Sequence, residues 1–277
     1  MRSNQFWIMA AIAIGCACAA SAQQLGMPAS ATPLLLQGVG IDQNLNAQVP
    51  LDLTFKDETG QTVRLGQYFR DKPVVLALVY YECPGLCDLI LNGLSHAMQQ
   101  ISLNVGTDYQ VVTVSFNPKE TWQLADAKKL NYLEKYNRPG AKEGWHFLTG
   151  QQAQIKILAD TVGFHYKYDE QSQQYVHASA IYVLTPDGKI SKYFYGIDYN
   201  PRDFRLGLVE ASADKIGTVA DQVLLFCCQY DPTTGKYGLA ISRVIQVLGT
   251  ATVLLLGGFV FIMLRRERAH SGPRRAA

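Results

Sequence analysis

Pro73-Val74-Val75-Leu76-Ala77-Leu78-Val79-Tyr80-Tyr81-Glu82-Cys83-Pro84-Gly85-Leu86-Cys87 decides the fold. Residues 73–81 form an unbroken apolar run of strand length, as expected for a central strand covered on both faces. Pro84 and Gly85 then break the strand. Beyond them Leu86, Ile90, Leu94, Ala97 and Ile101 recur at spacings of three and four, the period of a helix with one buried face. A cysteine pair therefore falls where a buried strand turns into a helix.

Reading outward, Leu51, Leu53 and Phe55 alternate as in a strand, Glu58-Thr59-Gly60 can turn, and Thr62 to Leu65 can return. Residues 111–116 form a second buried strand closed by Asn117-Pro118. An amphipathic helix is expected over 120–136 and a shorter one over 151–162. Phe164 to Tyr168 suits a strand. Residues 178–184 and 190–195 suit a hairpin joined at Thr185-Pro186-Asp187-Gly188, and Pro201-Arg202 open a last helix to about Ile216. Strand–helix–strand–helix followed by hairpin and helix predicts an α/β fold, a thioredoxin-like domain with a central mixed sheet flanked by helices.

The two ends differ from this body. Arg2, the apolar run Phe6 to Ala20 and Ala20-Ser21-Ala22 read as an export signal over residues 1–22, which removes Cys16 and Cys18 from the mature chain. Residues 23–49, rich in Gln, Asn, Pro and Gly, read as a flexible spacer, and the domain is expected over 50–216. Residues 217–243 form a connector holding Cys227-Cys228. Residues 244–264 carry no charge and suit a C-terminal transmembrane helix, and Arg265, Arg266 and Arg268 open a basic tail over 265–277. The positive-inside rule leaves that tail cytoplasmic and the domain on the periplasmic, extracytoplasmic side of an inner membrane. The chain has 277 residues, 17% of them charged, and a net charge of +2; no basic stripe runs through the body, while Arg265, Arg266, Arg268, Arg274 and Arg275 collect at the C-terminus, which argues against nucleic acid.

In an oxidising compartment the four remaining cysteines, Cys83, Cys87, Cys227 and Cys228, tend to be disulfides or metal ligands. Three intervening residues between Cys83 and Cys87 make a looser loop than Cys-x-x-Cys. The helix start favours thiolate over thiol, and two thiolates are soft ligands that select copper(I) or zinc. A histidine would complete a site. His270 lies beyond the span, and His96 lies too far along the helix at ~1.5 Å per residue. His146 and His165 flank apolar segments and read as structural. His177 ends a polar loop and precedes a strand, and position puts it ahead of the others. Cys227 and Cys228 read either as an accessory copper relay or thiols that exchange with Cys83 and Cys87, or as buried or interchain thiols, the plainer reading being favoured. Adjacent cysteines bridge each other only with strain.

Tyr81-Glu82-Cys83-Pro84-Gly85-Leu86-Cys87 resembles the Cys-Pro-x-x-Cys signature of the Sco/SenC family. Residues 112–121, with Asn117-Pro118-Lys119-Glu120-Thr121, are similar to its strand and following turn. Phe147-Leu148-Thr149-Gly150 and Val176-His177-Ala178-Ser179-Ala180 continue the resemblance. It implies a thioredoxin-like fold that binds a copper ion, Cu(I) or Cu(II), through Cys83, Cys87 and His177. It also implies a role in assembling the binuclear copper centre of cytochrome c oxidase, whose copper-site subunit is then the partner, with other copper chaperones or thiol reductants beside it. Two readings of the same residues stay open: a thiol–disulfide reductase cycling Cys83 and Cys87, and a copper or redox sensor. A thiol peroxidase ranks below both, having no need of a histidine ligand. The chain departs from the family pattern at Asp88, where proline is usual, and at Asn117, where aspartate is usual. Asp88 is expected to place a charge beside the site. The C-terminal span also departs, since the family's usual anchor is N-terminal.

Overall fold

The computed structural model describes residues 37–213, 228–231, 236–239, 249–259 and 261–263. Its centre is a five-stranded sheet in the order β10-β9-β4-β5-β6. Strand β4 (Val74–Val79) is the apolar run of the sequence, and all six residues are buried because strands flank it and helices cover it. It pairs in parallel with β5 (Gln110–Ser115), which pairs in parallel with β6 (Trp145–Leu148). On the other side β9 (Ala180–Leu184) runs antiparallel to β4, and β10 (Ile190–Tyr195) antiparallel to β9. The expected hairpin is thus present. Its turn closes with the Gly188 N–H donating to the Thr185 carbonyl at 2.9 Å, Gly188 supplying the positive φ of 87° that the turn needs.

Helices α1 (Leu86–Gln100), α2 (Trp122–Tyr136), α3 (Ala141–Gly144), α4 (Gln152–Thr161) and α5 (Pro201–Ala211) flank the sheet. Helix α1 packs between α2 and α5. Its approach to the chain after β10 is so close that Gly93 is required: a Cβ there would lie 1.9 Å from the Ile197 carbonyl oxygen. Helix α5 starts where the sequence places it. Pro201 occupies the first turn, and Asn200 caps it by accepting from the Arg202 and Asp203 N–H groups at 3.0 and 3.2 Å. Between β2 (Thr54–Lys56) and β3 (Thr62–Arg64) runs a short antiparallel ribbon. Its turn residue Glu58 forms a buried ion pair with Lys129 of α2 and accepts from the Phe147 N–H at 3.1 Å.

A second, three-stranded sheet stands apart: β1 (Gly40–Ile41), β7 (Phe164–Asp169) and β8 (Gln174–His177). Two sequence expectations change here. Residues 40–49, the end of the stretch read as spacer, pack onto the domain: Gly40 pairs with His165, and Val49 is fully buried. A two-residue strand needs no hydrophobic period, so composition does not reveal it. The end of the polar loop expected before His177 is a strand, β8, whose residues Gln174 to His177 are held by backbone pairing to β7.

Residues 228–231 and 236–239 form a separate two-stranded ribbon, β11 (Cys228–Asp231) with β12 (Lys236–Leu239). The expected span over 244–264 lies only partly among the described residues. Residues 249–259 and 261–263 are helical, and their large apolar side chains, Val253 to Met263, are exposed. Among the described residues no helix is long and apolar enough to cross a membrane. The expected signal over 1–22, Cys227 and the basic tail lie outside the described residues.

Candidate metal centre

The carboxyl end of β4 runs into a turn in which the Cys83 N–H donates to the Tyr80 carbonyl at 3.4 Å, and α1 begins three residues later. The turn sets Cys83 over the open end of that helix, where the first N–H groups lack helical partners. Its sulfur accepts from the Cys87 N–H at 3.4 Å. No side chain caps α1 at Gly85, so Cys83 Sγ serves part of that role. Cys87, in the first helical turn, is fully buried, and its sulfur accepts from the Tyr80 N–H at 3.3 Å.

His177 arrives from the second sheet. It ends β8, opposite Tyr166 of β7, and its ring enters an aromatic pocket against Phe116, Phe164 and Tyr80, at centroid distances of 5.1, 5.9 and 6.2 Å. Nδ1 lies 2.8 Å from the Ala178 carbonyl, and Nε2 lies 3.4 Å from Cys87 Sγ. The two sulfurs and one imidazole nitrogen all lie within 4.8 Å of one another, and all three residues are buried. Among the described residues this is the one group of three or more Cys, His, Asp or Glu side chains that could hold a metal ion. Neither cysteine is in a disulfide.

The two thiols are electrostatically unequal. Cys83 is pulled down to about 3, chiefly by hydrogen bonding from Cys87, with the backbone N–H groups of Cys87 and Gly85 adding to the effect against the opposing pull of burial. Cys87 is pushed well above the usual thiol value by burial and then by the neighbouring Cys83 sulfur. At neutral pH the pair is one thiolate and one thiol, a nucleophile or soft ligand poised beside a proton donor.

The other histidines stand elsewhere. His146 lies towards the amino ends of the parallel strands, its ring tilted against Tyr68 with centroids 4.2 Å apart, and burial lowers its pKa to about 4. His165 pairs with Asp42 at 3.0 Å, and His96 is exposed on α1. Asp88 does not point a free charge at the sulfurs. It forms an ion pair with Lys128 at 2.6 Å and lies 3.3 Å from the Tyr132 hydroxyl, both on α2. Sequence reasoning missed Glu120. Its buried carboxylate accepts from the Tyr81 and Glu82 N–H groups at 2.8 Å each and from the Ser115 hydroxyl. Glu120 stands inside the family-like turn 117–121, but nothing in its spacing announces where its side chain goes.

The arrangement has relatives. The SCO1/SenC family model matches residues 42–205, more than half of the chain. The SCO1 protein homolog of Bacillus subtilis (strain 168) is 25% identical over 170 residues, covering 60% of this chain and 83% of the relative. A crystallised protein from Aquifex aeolicus VF5 superimposes with a TM-score of 0.54 at 26% identity, covering 62% of this chain and 96% of its own. A SCO1/SenC family lipoprotein from Bacillus anthracis str. Ames shares the fold with a TM-score of 0.50 at 18% identity, covering 63% of this chain and 98% of its own. With its thioredoxin-like sheet and its paired cysteines under a histidine from the outer strands, the chain belongs to the SCO1/SenC family.

Proposed function

We propose that this protein is a copper metallochaperone for the binuclear copper centre of cytochrome c oxidase, binding copper through Cys83, Cys87 and His177. The observation that carries the reading is the convergence of those three donors within 4.8 Å in a buried site. Two sulfurs and an imidazole suit copper in either oxidation state, and the site has no hard oxygen ligand in the group that would favour magnesium or calcium. The pre-formed helix start and the thiolate character of Cys83 lower the cost of collecting the ion.

Transfer proceeds by ligand exchange, with copper as cargo. An acceptor thiol binds the ion as it gives up its proton, and one sulfur of the Cys83–Cys87 pair leaves and takes a proton in exchange. Copper keeps its charge throughout, so no oxidant is needed. The export signal over 1–22 and the span over 244–264 would hold the domain outside the cytoplasm, on the inner membrane near a membrane-embedded acceptor, and raise its effective concentration there.

A second reading has its own support in the inequality of the two thiols. As a thiol–disulfide reductase, the Cys83 thiolate attacks an acceptor disulfide and forms a mixed disulfide. Cys87 then loses its proton and attacks Cys83 Sγ, releasing the second acceptor thiol. The chain is oxidised by two electrons and the acceptor reduced by two.

Copper stoichiometry of the full-length chain, in detergent, separates the two. One copper per chain in the wild type, none in Cys83→Ser/Cys87→Ser, and a greatly weakened copper(II) complex in His177→Ala is the chaperone outcome. Copper uptake indifferent to all three changes, with a test disulfide still reduced through Cys83 and Cys87, sinks the chaperone reading.

A further inference from the structure

The turn that carries Cys83 is anchored at a point the metal-binding residues do not explain. Its closing bond runs from the Cys83 N–H to the Tyr80 carbonyl, which leaves the two inner amides, those of Tyr81 and Glu82, without partners in the turn. Both point inward to one side chain: Glu120 Oε2 accepts from Tyr81 and Oε1 from Glu82, each at 2.8 Å. Ser115, at the end of β5, donates to the same carboxylate and fixes it to the sheet.

Glu120 is itself costly to bury. Burial raises its carboxyl pKa, the hydrogen bonds from Ser115, Tyr81 and Glu82 oppose that rise, and none of the ion pairs among the described residues includes it. Its desolvation is offset by charge-assisted hydrogen bonds, two of which end on the loop before Cys83. We infer that Glu120 is a positioning residue for the metal centre: its carboxylate holds the Tyr80–Cys83 turn in the shape that sets Cys83 Sγ opposite Cys87 and His177. The part of this inference that concerns copper rests on the proposed function; the part that concerns the turn does not.

The test compares full-length Glu120→Gln, Glu120→Asp and Leu208→Ala. Glutamine keeps the shape but has one acceptor oxygen, and its NH2 would face a backbone donor. Aspartate keeps the carboxylate. Leu208 is buried in α5 with no part in the turn, so its truncation is a control for lost stability. Two quantities are read: hydrogen exchange of the Tyr81 and Glu82 amides without metal, and copper affinity with the energy of the thiolate-to-copper(II) charge-transfer band. In Glu120→Gln the two amides exchange at least about tenfold faster, copper binds about 10- to 100-fold more weakly and the band shifts, the scale expected for a partner that orients a metal ligand. Glu120→Asp recovers most of each change, and Leu208→Ala changes neither amide nor band. Wild-type exchange and affinity in Glu120→Gln overturn the inference, and so does an equal effect in Leu208→Ala. If the wild type takes up no copper, the chaperone reading fails by itself, and the amide exchange still decides whether Glu120 holds the turn.

Discussion

His177 meets Cys87 with the correct nitrogen. A carbonyl can only accept, so the 2.8 Å contact to the Ala178 oxygen places the imidazole proton on Nδ1. The Nε2 lone pair is thereby left facing Cys87 Sγ, 3.4 Å away. A backbone group of the next residue thus selects the tautomer a metal needs. Removing the ring leaves two thiolates, which suffice for copper(I) but not for copper(II). His177→Ala is expected to weaken copper(II) by more than the roughly 10- to 100-fold typical of losing an orienting partner, with copper(I) affected much less. Competition titrations in each oxidation state measure the difference. Equal losses for both would mean that His177 acts on the fold and not on the ion.

The inequality of the thiols sets a pH dependence. Cys83, lowered to about 3, is a thiolate across the neutral range. Its alkylation by iodoacetamide should be nearly flat from about pH 5 to about pH 8, where an ordinary thiol with a pKa of ~8.5 gains close to tenfold per pH unit. Cys87 should stay unmodified in the folded protein. The same shift enters stability. A thiol more acidic in the folded state than in the unfolded one stabilises fully above ~8.5, and that contribution drains away as pH falls towards about 3. Cys83→Ser should therefore flatten the fall in Tm on acidification. A wild-type alkylation rate that climbs like a free thiol would refute the assignment.

Asp88 provides a negative prediction. The sequence suggests an extra charge beside the sulfurs, but Lys128 neutralises it at 2.6 Å and the pair faces α2. With Asp88 half-exposed, the pair contributes no more than about 1 kcal/mol. Asp88→Asn should leave copper affinity within about threefold of wild type and lower stability by about 1 kcal/mol or less. A tenfold or larger change in affinity would show that the charge is felt at the sulfurs.

How far the sequence carries depends on whether an element is built by period or by pairing. Strand β4 and helix α1 announce themselves, because one is buried on all sides and the other on one face. The turn between them fixes Cys83 and Cys87 with equal clarity. Strand β8 is different: Gln174, Tyr175 and Val176 lie in a polar, half-exposed ribbon held by backbone bonds to β7, so no apolar alternation marks it. His177 could be placed at the sheet end from its neighbour strand β9, but its entry from a second sheet could not be read. Glu120 shows the same limit. A buried acid that serves two amides of a distant turn leaves no local signature. Likewise, the partners of Asp88 depend on how α1 packs on α2, which single-sequence periodicity does not report.

Gly93 tests that packing. On an exposed helix face Gly→Ala would stabilise by about 1 kcal/mol. Here the added Cβ would meet the Ile197 carbonyl oxygen at 1.9 Å, and a backbone atom cannot rotate away. Overpacking of this kind costs about 1–3 kcal/mol, so the clash outweighs the propensity gain. Thermal unfolding of Gly93→Ala should show a lowered Tm. Because α1 begins at the metal centre, copper uptake should weaken in parallel. A raised Tm would mean that the 197 loop yields easily.

The ion pair of Glu58 and Lys129 joins the β2–β3 turn to α2 and to β6. Lys129 also donates to the Lys142 carbonyl at 2.8 Å, and Glu58 also accepts from the Phe147 N–H at 3.1 Å. Both side chains are almost fully buried, at 8% and 11% exposure. A pair so enclosed has already lost most of its hydration, and its mutual attraction compensates only while both charges remain. Lys129→Met strands the carboxylate in an apolar setting, and the expected loss is about 3–5 kcal/mol. Adding Glu58→Leu removes the stranded charge and should recover a large part of that loss, although the Phe147 N–H then goes without its acceptor. Denaturant unfolding of both variants, with Glu58→Leu alone to close the cycle, gives the coupling. If Lys129→Met costs less than about 1 kcal/mol, Glu58 has found water or a proton, and the pair does not hold the β2–β3 ribbon in place.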